Sequence, residues 1–183
     1  SYSTMQAMIK RRLRAYTVTK PPFIKQKRLV VAGFDIGKKT HPSHLAVFAL
    51  HPFWINGVNV GKLVQIHSKF MDGWEYKNQI SYLQEAISKF GICKMCYDNT
   101  RAEFEVISEQ AGLPYEMEPV TFTSDSKFSM ATDLDRAMTN GQVELLFDER
   151  QNRQMLSVDC DLKAPETADG HGDSFFSICL AVK

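Results

Sequence analysis

The chain has 183 residues, 44% of them apolar and 23% charged, enough for one domain with its own hydrophobic core. No apolar run is long enough to span a bilayer, and the basic N-terminus lacks the apolar stretch of a secretory signal, so a cytosolic protein is expected. The net charge of +1 conceals an asymmetry: residues 1–34 carry eight basic groups and no acid, while residues 35–183 sum to −7. A basic arm on an acidic body suits an anionic partner on one side and bound cations on the other, with a solvated linker as the alternative.

Residues 3–16 place Met5, Met8, Ile9, Leu13 and Tyr16 on one helical face. The paired prolines of "TVTKPPFIKQK" then enforce extended backbone. Residues 1–27 are therefore expected to be a basic appendage or linker, with the domain proper spanning residues 28–183. "RLVVAGFD", "LAVFALHPF" and "KLVQIHSKFM" predict three strands, and the "WINGVNVG" turn between the last two carries an Asn-Gly hairpin signal. With no helix between them, they form an antiparallel meander. A helix is predicted from Trp74 to Phe90, with Asp72 and Glu75 at capping-box spacing.

"ICKMCYD" predicts a fourth strand ending at Asp98, and "TRAE" a helix from Thr100 to Ala111 closed by Gly112. "YEMEPVTF" reads as a strand, residues 126–140 as a helix stopped at Gly141, "VELLF" as a short strand and "ERQNRQMLSV" as a helix. "HGDSFFSICLAVK" closes the chain as an almost entirely apolar helix, which must be buried on most sides. The expected fold class is α/β: a mixed sheet of three antiparallel strands and then parallel ones, with helices on both faces.

Cys93 and Cys96 form a CxxC pair inside a predicted strand, where residues three apart point to opposite faces. Cys160 and Cys179 lie in unrelated contexts, so small core thiols are expected rather than a zinc site.

Asp35 ends the first strand, Asp98 ends the fourth and Asp173 opens the last helix. Strand carboxyl ends are where open α/β sheets gather ligand-binding side chains. If the first and fourth strands are neighbours, three carboxylates meet, and like charges so close require a cation. Oxygen-only ligation favours magnesium or manganese, and two such ions clamp the attacking and leaving oxygens of a phosphodiester. A metal-dependent nuclease is the reading that follows. Taken singly, each aspartate also reads as a turn, cap or helix-dipole residue.

The ordered set "GFDIG", "YDNT", "KFSMATDLDRAMTNGQVELL" and "HGDSFFSICLAV" resembles the nuclease domain of the large terminase subunit of tailed bacteriophages, over residues 28–183. That resemblance implies an RNase H-like (RuvC-like) fold and a DNA endonuclease using two Mg2+ or Mn2+ ions to cut concatemeric viral DNA during packaging. By resemblance Asp35 bridges both metals, Asp98 and Asp173 each complete one shell, and cleavage leaves a 3′-hydroxyl and a 5′-phosphate. Implied partners are double-stranded DNA, the terminase ATPase domain, the portal and the small terminase subunit. The implied location is the cytoplasm of the infected bacterial host. No GxxxxGK[ST] loop is present, so the motor is not in this chain, and residues 1–27 correspond to the inter-domain linker. Where family members often carry an Asp before a Thr-Ala pair, this chain reads "HPSHLAVF".

His171 is a candidate ligand or proton shuttle, with a helix-capping role as the alternative. Asp169 is a weaker candidate from the same loop. Lys38, Lys39, Arg101 and Lys127 are candidate DNA-backbone contacts, since phosphate binding needs charge but no base recognition. His41 and His44 are expected to be solvated turn residues, and Phe175 and Phe176 core. The alternatives are a RuvC-like junction resolvase and a non-catalytic DNA- or motor-binding module. An actin-like ATPase fails because a second phosphate loop is missing.

Overall fold

The structure, a computed structural model, describes residues 28–37, 41–100, 112–164 and 172–183. The expected arm at residues 1–27 and the body of the helix predicted from Thr100 to Ala111 lie outside the described residues.

Eight strands and four helices are formed by the described residues. The strands are β1 (Val30–Asp35), β2 (Ser43–His51), β3 (Trp54–Ile55), β4 (Val58–Asn59), β5 (Lys62–Met71), β6 (Ile92–Asp98), β7 (Met117–Val120) and β8 (Val143–Glu144). The helices are α1 (Tyr76–Phe90), α2 (Ser124–Thr139), α3 (Glu149–Ser157) and α4 (Asp173–Val182). Six strands form one sheet in the order β7-β6-β1-β2-β5-β8. The β1/β2 and β2/β5 pairs are antiparallel, whereas β1/β6, β6/β7 and β5/β8 are parallel. This is the expected mixed sheet, with the predicted first and fourth strands as direct neighbours.

Two-residue alternation sorts the side chains into two cores. Val30, Ala32, Phe34, Leu45 and Val47 pack with Ile80, Leu83 and Ile87 of α1 on one face. Ala46, Phe48 and Cys96 pack on the other, against Leu134 and Met138 of α2, Met155 of α3 and Phe175, Ile178 and Leu180 of α4. Helix α4 is buried almost throughout, as its lack of a polar face requires, and Phe175 and Phe176 are core.

Gly33 lets α4 lie directly on β1. A Cβ there would stand 1.8 Å from the Ser177 carbonyl oxygen and 2.6 Å from the Ala181 nitrogen, so any side chain would push the helix off the sheet. The Asn-Gly signal also holds: Asn56 and Gly57 have φ of 50° and 79° between β3 and β4, as a two-residue hairpin demands.

Three expectations need correction. Asp72 does not cap α1; its carboxylate pairs with both terminal nitrogens of Arg150 at 2.7 and 2.5 Å, and Glu75 takes the N-cap without a side-chain bond. A bidentate guanidinium pair outcompetes a single amide contact. The thiols are only half core: Cys96 and Cys179 are buried, Cys93 and Cys160 exposed, and none is bridged. His44 is not a turn residue but belongs to β2 and is fully buried.

Candidate metal centre

Asp35 and Asp98 terminate parallel neighbours whose register pairs Gly33 with Cys96 and Phe34 with Tyr97. Counting two residues on from Gly33 and Cys96 puts both carboxylates at the same end of the sheet and on the face that α4 covers. Asp173 begins α4 there, after Gly172 takes the N-cap in a left-handed conformation with φ of 77°. A Cβ on Gly172 would also meet the Ala164 side chain at 2.9 Å, so glycine is required where the chain turns into the helix. The Gly172 carbonyl accepts from Phe175 N at 3.0 Å and closes the first turn. Asp173 therefore sits in the partial positive field of the helix start.

Asp35 and Asp173 are 7% and 6% exposed, while Asp98 is half-buried. Burial pushes the Asp35 carboxyl well above the ordinary carboxylate range, and the neighbouring charges of Asp173 and then Asp98 push it further; Lys127 alone in this set pulls it down. Ionising Asp35 is therefore costly here without an added cation.

Lys127, a candidate DNA contact, lies in the first turn of α2, where the helix dipole disfavours a cation. Its ammonium is 4.8 Å from the centre of the Phe176 ring and 5.3 Å from that of Phe122. The ring faces and the acidic cluster offset the dipole.

The carboxylates share a region without forming a closed cage. Among the described residues, no three His, Cys, Asp or Glu side chains are grouped tightly enough to hold one ion. Asp98 is engaged locally: its Oδ1 accepts from the Thr100 backbone N–H at 2.8 Å and from the Thr100 hydroxyl. The turn role read for Asp98 is thus real for one oxygen, and the other stays available. Thr100 in turn accepts from Phe122 N at 2.9 Å, tying the end of β6 to the segment before α2. The donor set, hard carboxylate oxygens only, fits magnesium or manganese. His171, Asp169, Lys38, Lys39 and Arg101 lie outside the described residues.

Sequence reasoning missed a polar seam beneath the carboxylates. His44 lies opposite Asp35 in the β1/β2 register. Its ring bonds the Ser177 hydroxyl through Nδ1 at 2.6 Å and the Ser68 hydroxyl through Nε2 at 2.8 Å. Burial holds its pKa down at about 3, helped by Arg150 and His67, so it is neutral. Further along, the amides of Gln65 and Gln151 exchange hydrogen bonds at 2.8 and 2.9 Å, and Gln154 Oε1 accepts from Ser174 N at 2.8 Å. The available signal was alternation: His44, Ala46 and Phe48 share one strand face.

This fold, a six-stranded mixed sheet with helices on both faces, is shared with solved structures. The large terminase nuclease of thermophilic phage G20c matches with a TM-score of 0.69 at 17% identity, over 95% of this chain and 96% of that one. The chain has the fold of a large terminase nuclease. The G20c nuclease with bound magnesium superposes equally well, at a TM-score of 0.70, 17% identity and 95% of both chains. The terminase nuclease fold also recurs in the HK97 bacteriophage large terminase, with a TM-score of 0.68 at 14% identity, covering 97% of this chain and 42% of that one. No family model and no curated protein sequence matches the chain. The RNase H-like fold that the resemblance implied is thus the fold observed.

Proposed function

We propose that the chain is the nuclease domain of a phage genome-packaging terminase, a divalent-metal-dependent endodeoxyribonuclease. The observation that carries this reading is the placement of Asp35, Asp98 and Asp173 on one face at one end of the sheet, with Asp35 held in a dry, like-charged environment. The fold of solved terminase nucleases, one of them with bound magnesium, supports it.

Two Mg2+ or Mn2+ ions, when bound, would activate a water and stabilise the charge that develops on the scissile phosphate. The residues of the chain supply the rest. Asp35, between the other two carboxylates, would serve both ions, and Asp98 and Asp173 one each. Lys127, whose ammonium lies over the rings of Phe122 and Phe176, would attract a phosphate and hold it against the acidic end of the sheet. The apolar surroundings of Asp35 strengthen every charge interaction there by excluding water. Whether His171 moves a proton to the leaving oxygen is part of the same proposal. The substrate would be concatemeric double-stranded DNA in the cytoplasm of the infected bacterium. Residues 1–27 would join the domain to an ATPase motor that acts with the portal and the small terminase subunit.

The looseness of the carboxylate group favours a second reading, a DNA- or motor-binding module without catalysis. Incubating supercoiled plasmid with the protein and Mn2+ separates the two. Nicked and linear products that vanish with EDTA and in Asp35→Asn support the nuclease; intact plasmid at every protein concentration supports the binding module.

A further inference from the structure

The seam beneath the carboxylates has a direction that can be read from its donors. The Ser177 hydroxyl donates to the Ser174 carbonyl at 3.0 Å, so toward His44 it acts as acceptor. His44 therefore carries its proton on Nδ1, and Nε2 accepts from the Ser68 hydroxyl. The relay runs from β5 through β2 into α4, and every group in it is neutral. Ser177 is four residues after Asp173, so both occupy one face of α4. The sheet end of the relay is fixed as well, because His44 is the register partner of Asp35 and its ring packs 4.3 Å from that of Phe70.

The geometry points to His44 as a positioning residue for the carboxylate centre: by bonding Ser177 it sets where the start of α4, and with it Asp173, stands relative to Asp35. A helix resting on apolar contacts alone can rotate or slide by a fraction of a turn. Ser174 N already ties the first turn of α4 to Gln154 of α3, and the buried bond from His44 adds a tie from the sheet to the aspartate-bearing face, so that the two together remove that freedom. The role matches the chemistry of ligand-orienting partners, whose loss weakens metal binding without removing a ligand. Its bearing on metal binding rests on the proposed reading of Asp35, Asp98 and Asp173 as one centre.

The test compares His44→Leu with Ser68→Ala in the full chain. Both break hydrogen bonds of the same ring, but Ser68→Ala leaves the bond to α4 intact. Two readouts are taken: Mn2+ affinity by calorimetry, and amide hydrogen exchange without metal at residues 174–178. In His44→Leu the Mn2+ affinity should fall by about tenfold or more. Exchange in the first turns of α4 should rise relative to the rest of that protein. Ser68→Ala should stay within about threefold of wild type in affinity, with α4 exchange unchanged. If His44→Leu does not fold, Ser177→Ala replaces it with the same expectation.

Equal effects of the β2 and β5 substitutions on α4 exchange would overturn the positioning role and make the relay simple core structure. If the wild-type protein binds no Mn2+, the metal-centre reading fails instead, and the exchange comparison still judges His44.

Discussion

Asp35 and His44 stand opposite each other on strands β1 and β2, and the same dry environment drives both toward their uncharged forms. For the acid this means a raised pKa and for the base a lowered one, so the two groups make opposite contributions to stability as pH changes.

His44 has a pKa near 6.5 in the unfolded chain and about 3 in the fold. Between those values the unfolded state binds more protons, so stability is full above the higher value and is lost as pH falls toward the lower one. The contribution is at most ~5 kcal/mol. Urea midpoints measured from neutral pH down should fall steeply for the wild type and less steeply for His44→Leu.

Asp35 has the reverse sign. Its folded pKa lies above the unfolded value of 3.8, so the folded state keeps the proton longer. Stability therefore falls as pH rises from about 4 through the folded value. Asp35→Asn should melt at a higher temperature than wild type at neutral pH without metal, and lose at least about a hundredfold in plasmid cleavage. A lower melting temperature with full cleavage would contradict both the crowding and the assignment.

Added Mn2+ should raise the wild-type melting temperature more near neutral pH than in acid, because only ionised carboxylates bind it. The increment should disappear in Asp35→Asn. Differential scanning calorimetry with matched ionic strength provides the check.

Gly33→Ala should be among the most damaging single-methyl changes in the molecule. The added carbon overlaps the Ser177 carbonyl, which belongs to a packed helix and cannot retreat. A loss of roughly 3 kcal/mol or more is expected in urea unfolding, with Mn2+ affinity reduced in whatever folded fraction remains.

Lys127→Met keeps an unbranched side chain of similar length beside Phe122 and Phe176 but removes the charge that lies over their rings. DNA binding should weaken and the slope of log affinity against log salt should become shallower by about one. Fluorescence anisotropy with a labelled duplex at several salt concentrations measures this directly.

Much of this architecture was legible in the chain. β5 and β6 occupy the predicted "KLVQIHSKFM" and "ICKMCYD", and the parallel β1/β6 pairing follows from the helical crossover between them. Asp35, Asp98 and Asp173 fall at element ends because an apolar run, a charge and a turn or helix signal follow one another in each place. His44 was hidden by its neighbours: Pro42 and the lysines before it suggest a turn, although β2 already begins at Ser43. Asp72 misled through local spacing, since Arg150, its real partner, lies 78 residues away.

The sequence by itself determined the order of strands and helices, the two apolar faces of the sheet and the three acidic ends. Those follow from periodicity and from residue chemistry acting over a few positions. Tertiary structure alone decided that Lys127 stands over Phe176 beside the acids and that His44 ties β2 to α4. Both contacts join residues far apart in the chain, and the close packing of β1 under α4, possible because Gly33 has no side chain, keeps α4 within reach of the sheet.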